Sequence, residues 1–149
     1  MKPLSQIALP EKIQCLSEAL HYWNHRETMT YSDRVTAAES LGEWGLFDVP
    51  SIAKIVDLDP DFVAEFVKPR RGKTLDLNPE HLPELLDVAK TRYATGAIDW
   101  EPIDWMINRG TSAGAIQRFT GINQGWISRK LRNMQGIPFE AMDAAKRSA

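Results

Sequence analysis

Gly121-Ile122-Asn123-Gln124-Gly125-Trp126-Ile127-Ser128-Arg129-Lys130-Leu131-Arg132-Asn133 is the stretch that decides the fold. At 3.6 residues per turn it puts Asn, Gln, Ser and Arg on one face of a short helix. Trp126, Ile127 and Leu131 fall on the opposite face, where they can be buried. Just before it stands the short apolar segment Ala115-Ile116-Gln117-Arg118-Phe119, closed by a tight Thr120-Gly121 turn. Helix, glycine turn and polar-faced helix, in that order, is the pattern of a helix-turn-helix whose second helix lies in the DNA major groove.

The polar face has the chemistry for that task. Gln or Asn can grip adenine at two points, and Arg can do so with guanine. The candidate base contacts are therefore Asn123, Gln124, Ser128, Arg129 and Arg132, with Gly125 letting the helix approach the bases. Thr111, Ser112, Arg118 and Lys130 are placed for phosphates. Ile116, Ile122, Ile127 and Leu131 supply the apolar contacts where the two helices cross. Gln117 is a departure, because such motifs usually carry alanine at that point.

The whole chain of 149 residues has a net charge of −2, but the charge is unevenly spread. Residues 1–67 hold 5 basic and 11 acidic side chains, and residues 78–110 hold 3 and 6. Residues 68–77 hold 4 and 1, and residues 111–149 hold 6 and 2. Two basic islands thus sit in an acidic chain, and local fields govern the approach to a polyanion.

Outward from the deciding stretch, nearly every segment reads as helix, and no alternation of period two is visible. Apolar spacing predicts helices over 10–26, 50–57, 60–68, 79–94, 100–108, 112–119, 124–134 and 138–146. A further helix, begun by Thr30 or Ser32, is marked by Val35, Ala38, Leu41 and Trp44 and weakens near Gly42 and Gly45. Phe139, Met142 and Ala145 mark the trailing helix. The segment from Val49 to Val67 echoes the C-terminal motif, with Ala53 at the crossing and Asp57 in place of the turn glycine. Asp59, Asp61 and Glu65 on its second helix would be repelled by phosphates. Lys68, Arg70, Arg71 and Lys73 follow at once, around the helix breakers Pro69 and Gly72. Such an arm suits the minor groove, where arginine senses groove width.

The expected architecture is all-α: two small helix-turn-helix domains joined by a linker helix. The first domain would cover 1–77 with its basic arm, the linker helix 78–95, and the second domain 96–149. A tandem monomer has no twofold axis, so an asymmetric DNA site is expected rather than a palindrome.

Other chemistry finds little support. Cys15 is the only cysteine, so neither an intrachain disulfide nor a cysteine-based metal site can form. His21 and His25 share a helix face without an acidic or thiol partner at a supporting spacing. Asp33, Glu39 and Glu43 read as helix surface rather than as acid/base pairs. No phosphate-binding glycine loop occurs. Trp23, Trp44, Trp100 and Trp105 read as core, with Trp126 the one of the five placed to touch sugar or base. No enzyme, metal, cofactor or small-molecule ligand is expected. No apolar run is long enough to span a bilayer, and no signal peptide is visible, so a cytoplasmic location is expected.

The run from Thr111 to Ile122, followed by Ile127-Ser128, resembles the Cro and repressor class of phage DNA-binding domains. The whole chain resembles the small immunity repressors of temperate actinobacteriophages, through its size, its two dissimilar helix-turn-helix segments and the run from Thr120 to Arg129. That resemblance implies a repressor of lytic promoters in a bacterial cytoplasm, bound to double-stranded DNA without a cofactor. Two alternatives stay open: a recombination or excision accessory protein that bends DNA, and a protein-interaction module carrying one DNA-binding unit.

Overall fold

A computed structural model describes residues 6–68 and 75–134. Among these residues the chain forms eight α-helices and no strand, the all-α class that the periodicity predicts. The helix expected over 138–146 and the arm residues Arg70, Arg71 and Lys73 lie outside the described residues.

Helix boundaries follow local capping chemistry. Helix α1, Leu9–His25, carries Pro10 in its first turn, where a missing N–H costs nothing. Helix α2, Tyr31–Trp44, opens on a capping box: Thr30 Oγ1 accepts from the Asp33 N–H, and an Asp33 carboxylate oxygen accepts from the Thr30 N–H. Asp48 caps α3, Val49–Val56, and Asp59 caps α4, Pro60–Phe66. A 3-10 turn at Pro79–His81 leads into α5, Leu82–Thr95, which stops at Gly96 with φ 75°. Helices α6, Trp100–Ile107, α7, Ala113–Thr120, and α8, Gln124–Met134, complete the described chain.

One apolar core runs through all of this. It joins Leu16 and Ala19 of α1, Leu41 of α2 and Ile52 and Ile55 of α3 to Leu85 and Val88 of α5, Met106 of α6, Phe119 of α7 and Ile127 of α8. Helices α1 and α5 form its axis, packed on each other, and both touch α7. The helix expected to act as a linker is therefore a central core helix. Its Leu82, Leu85, Val88 and Ala89 are fully buried, because a stripe of that width must be covered on both flanks. The halves are also pinned side by side. The Phe47 ring lies 4.8 Å from that of Phe119, and the Ser112 N–H donates to the Asp76 carbonyl at 2.9 Å.

The turn between α3 and α4 needs special support. Asp57 takes the left-handed conformation at φ 55°, where a side chain other than glycine's is strained. The Arg34 guanidinium holds it, donating to the Asp57 carbonyl at 3.0 Å and to its carboxylate at 3.2 Å. A further N–H of Arg34 reaches the Arg26 carbonyl at 2.7 Å, tying the turn to the end of α1.

Candidate nucleic-acid interface

The C-terminal motif is built from its turn outward. Ser112 caps α7 by accepting from the Ala115 N–H at 3.1 Å. Ala115, Ile116 and Phe119 bury the inner face of α7. Gly121, at φ 73°, reverses the chain, and Ile122 then drops fully into the core. Asn123 opens α8: its side-chain oxygen accepts from the N–H groups of Gly125 at 2.8 Å and Trp126 at 3.3 Å. Gln117 accounts for its own oddity here. Its amide oxygen accepts from the Gln124 N–H at 2.8 Å, so a polar side chain of α7 satisfies another orphan donor at the start of α8.

Ile127 and Leu131 anchor α8 to the core. At 100° per residue, Arg129 then points almost straight outward, with Gly125 and Arg132 about 40° and about 60° away on the same side of it. Gln124 and Ser128 occupy one flank, and Trp126, Lys130 and Asn133 the other. Gln124, Gly125, Ser128, Arg129 and Lys130 are exposed, and Arg132 is half-buried. Residues 111–134 carry four cations, Arg118, Arg129, Lys130 and Arg132, and no carboxylate. Trp126 does not share the buried face with Ile127: it is 59% exposed, because its position lies about 100° around the helix from its neighbour.

Several expected contacts are otherwise engaged. Thr111 is only 1% exposed and cannot meet a phosphate. Its hydroxyl lies 2.6 Å from His81 Nδ1 and accepts from the Asn78 N–H at 3.2 Å, locking the approach to α7 onto the start of α5. Burial lowers the His81 pKa below its ordinary 6.5, Glu84 and Glu80 opposing and Arg109 reinforcing the shift. The network suits a neutral ring that accepts the Thr111 hydroxyl proton. Arg118 is half-buried and reaches across to the Leu46 carbonyl at 3.5 Å, so it braces the two halves. Ser112 and the Asn123 oxygen serve as caps, which leaves Asn123 its amide N–H groups for other use. Gly125 has a local reason as well: a Cβ there would come within 2.9 Å of the capping Asn123 oxygen. Lys68 is exposed, whereas Arg70, Arg71 and Lys73 lie outside the described residues.

The N-terminal motif repeats the caps and the turn of this framework 64 residues earlier, but not the Gln117–Gln124 bond, since Ala53 and Pro60 stand at those two places. Asp48 stands for Ser112, Asp57 for Gly121 and Asp59 for Asn123. The Asp57 N–H bonds the Ala53 carbonyl, as the Gly121 N–H bonds that of Gln117. Val63 fills the place of Ile127, and both are fully buried. The outward chemistry is reversed. Asp61 stands at the position of Gly125 and Glu65 at that of Arg129, both exposed. Beside them Tyr31 stacks on Phe62 at 5.7 Å, and Phe62 meets Phe66 at 5.1 Å.

Two features escaped the sequence reading. One is the capping role of Gln117, whose only signal was its departure from alanine. The other is Trp100, which the fold brings beside Trp126 although 26 residues separate them. Among the described residues no group of three His, Cys, Asp or Glu side chains is placed to hold a metal, and no helix is long and apolar enough to cross a membrane. His25 Nδ1 lies 2.8 Å from the His21 carbonyl within α1. No protein-family model, curated protein or solved structure matches the chain.

Proposed function

We propose that this chain is a sequence-specific double-stranded DNA-binding repressor that lays α8 in the major groove. The observation that carries this reading is the division of α8. Ile127 and Leu131 are buried, while Gln124, Ser128, Arg129 and Lys130 stand exposed with no carboxylate among them. Long cations and an amide projecting from a capped, core-anchored helix suit base edges and phosphates alike. Arg129 and Gln124 carry base choice in this reading, Lys130 contacts the backbone, and Lys68 opens a basic arm toward the neighbouring groove. The first helix-turn-helix adds a second, weaker contact, and a single chain then occupies an asymmetric operator. The resemblance to immunity repressors of temperate actinobacteriophages extends the proposal to the silencing of lytic promoters in a bacterial cytoplasm.

Selection of bound duplexes from a random pool tests this. The expected result is one enriched, non-palindromic motif, bound by one chain in sedimentation analysis. A pool without enrichment would defeat sequence-specific binding, and two chains per site would defeat the monomeric form. One observation favours a second reading for the N-terminal half. The exposed carboxylates Asp59, Asp61 and Glu65, beside the Tyr31–Phe62 stack, suit a basic protein surface better than phosphates.

A further inference from the structure

We propose that Trp100 and Trp126 form a clamp for the deoxyribose backbone of one DNA strand, beside the base-reading face of α8. This inference rests on the DNA-binding reading above.

The two indoles line an open cleft of about 240 Å³ together with Arg129, Lys130 and Asn133. Trp126, Arg129, Lys130 and Asn133 follow one another at helical spacings of three and four, so they form a single stripe along α8. Trp100 closes the stripe from the first turn of α6. Trp126 is 59% exposed, a large apolar surface with no internal reason to face water.

The cleft alternates in character as a nucleic-acid strand does. A strand presents apolar sugar carbons between anionic phosphates. The cleft sets its two indoles beside the Lys130 cation, with an amide donor on Asn133. Its place fits as well: when Arg129 points at the base edges, the Trp126 flank meets the wall of the groove, which is sugar and phosphate rather than base. A protein helix is a poorer occupant, because it offers no regular alternation of apolar carbons and anionic groups to match this lining. Burial of indole against sugar is apolar, so its contribution is independent of both salt and sequence, unlike a phosphate contact.

The test compares Trp126→Ala, Trp126→Phe and Lys130→Ala with the parent chain on the selected duplex and on an unrelated duplex, at several salt concentrations. Trp126→Ala is expected to weaken binding to both duplexes about tenfold, with an unchanged salt slope. Trp126→Phe should recover part of that loss. Lys130→Ala should lower the slope by about one unit. Circular dichroism of Trp126→Ala should match that of the parent, since an exposed side chain carries little of the core. Parent-like binding by Trp126→Ala overturns the clamp, and so does a loss confined to the selected duplex, which would mean that Trp126 reads a base. Self-association lost on Trp126→Ala without DNA also overturns it. If the parent binds no duplex, it is the DNA-binding reading itself that falls.

Discussion

Single residues decide how well α8 is presented. Gln117 is exposed yet supplies an N-terminal bond to α8 from outside that helix. Gln117→Ala should cost about 0.5–2 kcal/mol in denaturant unfolding, the range of a lost helix cap. DNA affinity should fall with it, because the start of α8 loosens. Arg129 sits at the apex of the outward face, so Arg129→Ala should cost about 1–3 kcal/mol of preference for the selected duplex. A binding titration against single-base variants would show the lost discrimination at one position. His81 gives the fold a pH dependence. Its pKa is lower folded than unfolded, so the unfolded chain binds more protons below the ordinary value of 6.5. The stability from its neutral form is whole above that pH and is lost as pH falls through the folded value. Urea unfolding between pH 7 and pH 5 should show this decline, and Thr111→Val should blunt it while lowering stability throughout.

Helices α4 and α8 have the same frame and opposite outward charge. Both follow an eight-residue helix and a left-handed turn residue, and each is anchored by one fully buried β-branched side chain, Val63 or Ile127. The turn and its caps are shared, so what separates the two helices is their length, seven residues against eleven, and their exposed positions. Reversal of the α4 charges, Asp61→Lys with Glu65→Lys, should tighten binding to any duplex and steepen its salt dependence. A filter-binding series over salt would measure both effects. Unaltered affinity and slope would mean that α4 faces away from the duplex, and would favour its use against a protein.

The molecule as a whole is packed around α1 and α5, with one apolar core shared by all the described helices. Helix α7 buries Ile116 and Phe119 against elements of the N-terminal half, and the Phe47 ring meets that of Phe119 from that side at a tilt of 39°. A fragment of residues 96–149 would expose this face, and a short helical set without its partners is marginal in water. That fragment should show no cooperative thermal transition by circular dichroism, whereas the full chain should unfold in one. The same shared core holds the α3–α4 and α7–α8 pairs in one packed body.

Much was legible in the chain because it depends on local spacing. The 3.6-residue period, the Asp and Ser caps, Gly121 in its turn and the cationic face of α8 are set by neighbours a few residues apart, and most described helices lie within two residues of their expected bounds, α5 starting three residues late at Leu82 after a 3-10 turn. Residues 82–95 show where that legibility stops. An amphipathic stripe announces that a face will be buried, but not against what, so the same stripe suited a spacer and a core helix equally. Thr111, Arg118 and Trp126 follow the same logic: their partners His81, Leu46 and Trp100 lie 30, 72 and 26 residues away in sequence. Sequence alone thus determined the helical elements and the charge each displays. Only the tertiary packing decided which polar groups face solvent and which are buried or paired, because burial and pairing depend on contacts distant in the chain.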